Sequence, residues 1–191
     1  MVFSQLLFTP RPVALLQRAE EAALAEVAEG LTLTARAAEV DDEALADQAV
    51  SALRNLRDRL SELARTRHAS RRVVAHSPWW PGQKGRVVRE SENAGVLDLL
   101  GSSALMLART AMTSDAARGV LAAEVRVLAQ VVAGLAAAPG DQDVRQRAAE
   151  QVLAMLGRLD DPQTERPADL ASAALVMAAV DVLRFTGLEP E

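Results

Sequence analysis

Ala49-Val50-Ser51-Ala52-Leu53-Arg54-Asn55-Leu56-Arg57-Asp58-Arg59-Leu60-Ser61-Glu62-Leu63 is the stretch that decides the fold. Ala49, Leu53, Leu56, Leu60 and Leu63 recur at alternating steps of four and three, and the same steps lead on to Arg67 and Ser70. On an α-helix these positions stack into one stripe, and a stripe of this period packs along a neighbour at a shallow angle, as in antiparallel bundles. Toward its end the stripe turns polar and arginine-rich, at Arg65, Arg67, Arg71 and Arg72. The helix is therefore expected to outrun its own apolar face.

Working outward, Asp41-Asp42-Glu43 is an acidic start signal for this helix, because carboxylates cap free backbone amides and offset the helix dipole. The helix should reach about Ala75. Upstream, Pro10 and Pro12 suit the first turn of a helix that runs to about Glu39, with Val13, Leu16, Ala23, Val27, Leu31 and Ala38 on one face. Downstream, Ser77-Pro78-Trp79-Trp80-Pro81-Gly82-Gln83-Lys84-Gly85 holds two Pro and two Gly and breaks any helix. A third helix is expected from about Val88 to Met112, and Ser114-Asp115 caps a fourth that ends near Ala138. Pro139-Gly140-Asp141 turns into a fifth, with Val144, Ala148, Val152, Met155 and Leu159 on one face. Asp161-Pro162 stops it, Pro167 starts a sixth, and Gly187 closes that one. The expectation is an all-α, up-and-down antiparallel bundle of about six helices, one domain over residues 10–189.

Composition agrees. Half of the 191 residues are apolar, yet only three are Phe, two are Trp and none is Tyr. The apolar residues are chiefly Ala, Leu and Val; Ala and Leu head the helix scale, while strand-formers such as Ile, Tyr and Phe are absent or scarce. Without cysteine there is neither a disulfide frame nor a thiolate metal site, which is consistent with a cytoplasmic setting.

The net charge of −5 is unevenly spread. Between Arg54 and Arg89 nine Arg and Lys84 face only Asp58 and Glu62, a local +8, which leaves −13 for the rest. No complete membrane span is expected. The windows Ala94–Thr113 and Val120–Ala138 carry Asp98 with Arg109 and Glu124 with Arg126, and each such charge costs about 2.5–3.5 kcal/mol near a bilayer centre. Leu170–Leu183 is shorter than the ~20 residues a spanning helix needs. All three read as core helices of a soluble bundle. Residues 1–9 differ from the rest: Val2-Phe3-Ser4-Gln5-Leu6-Leu7-Phe8 is uncharged and has no amphipathic period. It lacks the basic flank and cleavage site of a signal peptide and reads as the inner end of a membrane helix.

No catalytic constellation is present in the sequence. His68 and His76 are eight residues apart without an acidic residue to complete a ligand set, and read as solvated histidines on a basic helix. Gly101-Ser102-Ser103 lies inside an apolar helical run rather than after a strand, so it is not a nucleophile elbow; small residues there permit close helix packing. No Gly-rich phosphate loop occurs, and neither a cofactor nor a metal is expected. The arginine run lacks a helix-turn-helix pattern or stacking aromatics, so nucleic acid is not the expected partner. Two roles fit the run: a solvated helix end, or a surface held near anionic lipid headgroups. The candidate lipid- or partner-facing residues are Arg65, Arg67, Arg71, Arg72, Trp79, Trp80, Lys84 and Arg86. The indoles suit either a membrane interface or a plug for the open end of the bundle. A structural charge network is expected where the third helix begins, from Glu90, Glu92, Asn93 and Asp98, with Glu90 and Glu92 near Arg71 and Arg72.

Three segments carry a family resemblance: Leu6-Leu7-Phe8-Thr9-Pro10-Arg11-Pro12-Val13-Ala14-Leu15-Leu16-Gln17-Arg18-Ala19-Glu20, the Leu/Arg helix Leu53–Arg72, and Arg89-Glu90-Ser91-Glu92-Asn93-Ala94-Gly95-Val96-Leu97-Asp98-Leu99-Leu100. From the first residues to about residue 160 the chain resembles the soluble portion of actinobacterial proteins of the aromatic acid exporter, or fusaric-acid-resistance-like (FUSC), family. The resemblance implies a helical cytoplasmic domain, at the inner face of the plasma membrane, of an exporter of aromatic or other organic acids. It would serve assembly, as a homodimer, or gating. The membrane helices of the family are missing from these residues, and no substrate residues carry over. The competing expectation is a stand-alone soluble helical domain that binds an apolar ligand between helices or serves regulation.

Overall fold

In the computed structural model, residues 12–75, 84–113, 118–160 and 170–188 are described, with side chains at 17–60, 93–112, 119–160 and 170–188. They form six α-helices and one 3-10 turn: α1 Pro12–Val40, α2 Glu43–Ala75, α3 Lys84–Thr110 followed by the 3-10 turn Ala111–Thr113, α4 Arg118–Ala137, α5 Gln142–Leu159 and α6 Leu170–Thr186. There is no strand among the described residues. The stub at 1–9, the Trp loop at 76–83, Ser114-Asp115 and the Asp161–Pro167 stop and start signals lie outside them.

The first corner is made by two aspartates. Asp41 sits in the left-handed region at φ 55°, and the amide of Asp42 donates to the Ala37 carbonyl at 3.1 Å, a helix-ending 6→1 bond. The Asp42 side chain then caps α2: its Oδ1 accepts from the amides of Ala44 at 2.8 Å and Leu45 at 3.2 Å. Losing that acceptor in Asp42→Ala should cost about 1 kcal/mol of unfolding free energy in urea titrations. Asp41→Gly should add about 0.5–1 kcal/mol, because glycine meets no Cβ penalty at positive φ. Asp141 caps α5 in the same manner, accepting from Asp143 at 2.8 Å and Val144 at 3.3 Å. Gly187, at φ 92°, ends α6 as expected: its amide donates to Arg184 O at 3.0 Å and the Leu188 amide to Leu183 O at 3.1 Å, a Schellman pair.

Contacts between helices fix their directions. A Cβ added to Gly30 of α1 would lie 2.6 Å from Leu53 Cγ of α2, and Glu26 pairs with Arg59, so α1 and α2 run antiparallel in close register. Gly30 is the bare patch that lets Leu53 lie flat against α1. Likewise a Cβ on Gly101 would lie 3.4 Å from Leu60 Cδ1, which sets α3 against α2. Gly101 thus serves close packing, as its sequence context suggests. Glu39 pairs with Arg126, and a Cβ on Gly140 would lie 3.8 Å from Gln17 Nε2, so α4 runs down α1. Arg145, in the first turns of α5, covers Phe185 in the last turn of α6 with its guanidinium 5.0 Å from the ring centre. Every successive helix therefore reverses direction, as an up-and-down bundle requires.

Spatial neighbours are not all sequence neighbours. The most extensive pairing joins α1 to α4, and α3 packs on α6 as extensively as α1 does on α2. Helix α2 packs on both α1 and α3, and α5 on both α4 and α6. Two three-helix units, α1–α2–α3 and α4–α5–α6, thus meet through their first and third members.

Between them lies a core of Leu, Val and Ala. Leu24, Val27, Leu31, Leu53, Leu100, Leu107, Leu128, Leu135, Val152, Met155, Leu175 and Phe185 are fully buried. The expected stripes are largely there: Ala23, Val27, Leu31 and Ala38 on α1, Ala49, Leu53, Leu56 and Leu60 on α2, and Ala148, Val152, Met155 and Leu159 on α5 are buried, with Val144 packed at the edge. Segment Gly119–Ala137 of α4 is long and apolar enough to cross a membrane by composition. It lies instead against α1 and α5, its apolar face in the core and its two central charges paired.

Candidate functional site

The start of α1, the end of α2 and the start of α3 lie at one end of the bundle, and the positions of the six candidate cations fall on the last two of these. Helix α2 continues for fifteen residues beyond Leu60, to Ala75, about 22 Å of helix at 1.5 Å per residue. Nothing interrupts it, because Ala, Arg and Ser sustain a helix even after the apolar stripe is gone. The positions of Arg65, Arg67, Arg71 and Arg72 lie on this extension. It points toward the N-terminus of α1, since Glu26–Arg59 and Gly30–Leu53 set the two helices antiparallel. Helix α3 comes back alongside it, and its first turn holds the positions of Lys84 and Arg86.

Helices α4, α5 and α6 stop short of the end of this extension. Ser103 of α3 bonds Asp181 of α6, and α6 ends at Thr186, so its last turn is level with about Asp98 of α3. Gln17 of α1 lies beside the α4–α5 turn, and the α1–α2 register puts that level near His68 of α2. The positions of Arg71 and Arg72, with the first turns of α3, extend past it. The end of α2 and the start of α3 thus stand, with the first turn of α1, beyond α4, α5 and α6.

The expected charge network falls on the same hairpin. The antiparallel register that sets Leu60 beside Gly101 brings position 90 level with position 71, eleven residues further along each helix. The side chains of Glu90, Glu92 and the six candidate cations lie outside the described residues, as do Trp79 and Trp80 entirely. Asn93 is half-buried, while Asp98 is exposed with no ion pair among the described residues.

Away from this end, two polar features join helices. Ser103 Oγ donates to Asp181 Oδ2 at 2.8 Å, and Arg184 Nη1 donates to Asp181 Oδ1 at 3.1 Å. Asp181 is buried, and these bonds compensate the cost of desolvating its carboxylate. Sequence reading missed it, although the signal was there: a lone acid in the apolar run Leu170–Phe185, with Arg184 three residues on. Glu124 and Arg158 form a bidentate pair between α4 and α5, at 2.8 and 3.0 Å. The hydrogen bond to Glu124 raises the Arg158 pKa above its ordinary value. Near it, a half-open groove of about 500 Å³ runs between α4 and α5, floored by Val127, Val131, Leu135 and Ala148 and edged by Arg147 and Arg158.

Searches against family models, curated proteins and solved structures find no significant match to this chain.

Proposed function

We propose that this chain is a non-enzymatic helical domain of a membrane transporter, held at the cytoplasmic face of the plasma membrane, where it serves assembly or gating. The transported class would be aromatic or other organic acids, as the FUSC resemblance implies. One observation carries the orientation: the N-terminal end of α1 and the arginine-rich end of α2 share one end of the bundle, beyond α4, α5 and α6. If α1 descends from a membrane helix, that end faces the bilayer. Cations there fit the excess of Lys and Arg in cytoplasmic juxtamembrane segments and gain from anionic headgroups. The test is vesicle binding by the chain and by a variant with Arg65, Arg67, Arg71 and Arg72 replaced by Gln. Loss of binding to anionic vesicles in the variant supports the reading; equal binding by both contradicts it.

The groove between α4 and α5 favours a second reading, a ligand-binding or regulatory domain. Its apolar floor and arginine edge suit a small amphipathic acid. Its openness and the densely filled Leu/Ala core beneath it favour the first reading. A Trp introduced at Gly134, where added side-chain atoms meet open space, would fill the groove and abolish binding of any such ligand without touching lipid binding.

A further inference from the structure

We propose that the outer face of the α3–α6 seam is where two copies of this chain pair, about a two-fold axis parallel to the helices. The proposal rests on the shared membrane orientation above and names the surface through which assembly would occur. Leu99 and Met106 on α3 and Leu170 and Met177 on α6 are 50%, 40%, 65% and 51% exposed. They make up half of the eight large hydrophobic side chains found exposed among the described residues.

Their positions form a pattern. Ser103 and Asp181 meet across the seam, so each marks the edge of its helix that faces the other. Leu99 and Met106 stand four residues before and three after Ser103, and Met177 and Leu170 stand four and eleven before Asp181. At helical spacing all four fall on those same edges, yet they remain open to solvent. The seam therefore has a polar link at its base and an apolar strip along its outer side. Monomers seldom expose apolar residues so grouped without using them.

Charge selects the occupant. A two-fold axis along the helices lays α3 of one copy on α6 of the other at the same height and keeps both basic ends pointing the same way. The Ser103–Asp181 register then brings Asp98 against the last turn of the second copy's α6, where Arg184 stands, and Met106 against Met177. Asp98 is exposed and makes no ion pair among the described residues; Arg184 is about half exposed and touches Asp181 through Nη1. The face supplies its own counter-charge twice, once per copy, as an isologous interface requires. Two helices of about 25 Å, abreast, offer a footprint near 500 Å² per copy, below the ~800 Å² of a standard interface.

Sedimentation of the chain alone, up to about 0.5 mM, reads this directly. The wild type is expected to dimerise, and Met106→Glu with Met177→Glu to weaken pairing at least ~10-fold, by placing carboxylates in the apolar strip. Asp98→Arg should weaken it about 5- to 10-fold by setting it against Arg184. All three positions are solvent-facing, so unchanged circular dichroism separates lost pairing from lost folding. The chain has no cysteine, so single-thiol copies report the geometry without background. A mixture of M106C and M177C chains should form a disulfide-linked heterodimer. A monomer at every concentration, or a dimer indifferent to the variants, overturns this interface while leaving the lipid-binding result untouched. Cross-linking of L99C to M106C in place of M106C to M177C also overturns it, since it places the copies antiparallel, unable to share one membrane.

Discussion

Phe185→Ala is expected to lower the stability of the bundle by about 3–5 kcal/mol, the range for emptying a buried aromatic site. Phe185 has no exposed surface and fills the core at the C-terminal end of α6. Its ring also lies under Arg145, whose Nε donates to the Pro139 carbonyl at 2.6 Å. One side chain therefore ties the end of α6 to the start of α5 and to the α4–α5 turn. Removing it leaves a cavity and strips Arg145 of the surface it covers. For a chain of this length each kcal/mol shifts Tm by about 2–4 °C, so a fall of roughly 6–20 °C should appear in calorimetry. Leu170→Ala, at an exposed position on the same helix, should change stability by no more than about 0.5 kcal/mol. A Phe185 effect below about 1 kcal/mol would mean that this end of the bundle is not packed as described.

The second large effect concerns lipid. Each Lys or Arg near an anionic surface contributes on the order of 1 kcal/mol, about five-fold in affinity. Replacing Arg65, Arg67, Arg71 and Arg72 with Gln should therefore weaken binding to phosphatidylglycerol-containing vesicles by about 10²- to 10³-fold. The same interaction is screened, so raising salt from about 0.05 to 0.5 M should abolish most of the wild-type binding. Neutral phosphatidylcholine vesicles should bind both proteins weakly and alike. These arginines lie where the apolar stripe of α2 has already run out, so the variant should keep its helix content. Gln sustains a helix about as well as Arg.

Most of the secondary structure was legible because the chain's punctuation is chemically explicit. Asp42, Asp141 and Gly187 act at the positions their side chains suit, and the α2 stripe is buried as far as its side chains are described, to Leu60. Helix α3 begins at Lys84, four residues before the expected Val88. Gly85 read as a breaker, but one glycine costs a helix only about 1 kcal/mol, which a long packed helix absorbs. Which helices would be neighbours was not legible. Periodicity gives a helix its inner face but not the partner that covers it, and the α1–α4 and α3–α6 pairings join segments far apart in the chain. Helix α3 touches α1, α2 and α6 together, so its apolar residues keep to no single stripe that a period could reveal.

The candidate site was legible in part. The arginine cluster and the early end of the stripe stand in the sequence, and the direction of α2 follows once α1 and α2 are read as consecutive antiparallel helices. Two packing features were not legible. Gly30 looks like any glycine in a helix until Leu53 is seen against it, and Asp181 looks misplaced until Ser103 reaches it.

The basic end of the bundle facing lipid is the central claim, and the chain carries its own probe for it. Trp79 and Trp80 are the only tryptophans, and there is no tyrosine, so tryptophan emission reports on the segment that joins α2 to α3. Addition of phosphatidylglycerol vesicles should shift the emission to the blue, and lipids brominated near the headgroup should quench it more strongly than lipids brominated deep in the chain, as indoles at the interface require. Emission unchanged by vesicles that the protein binds, or by vesicles at any concentration, would contradict it.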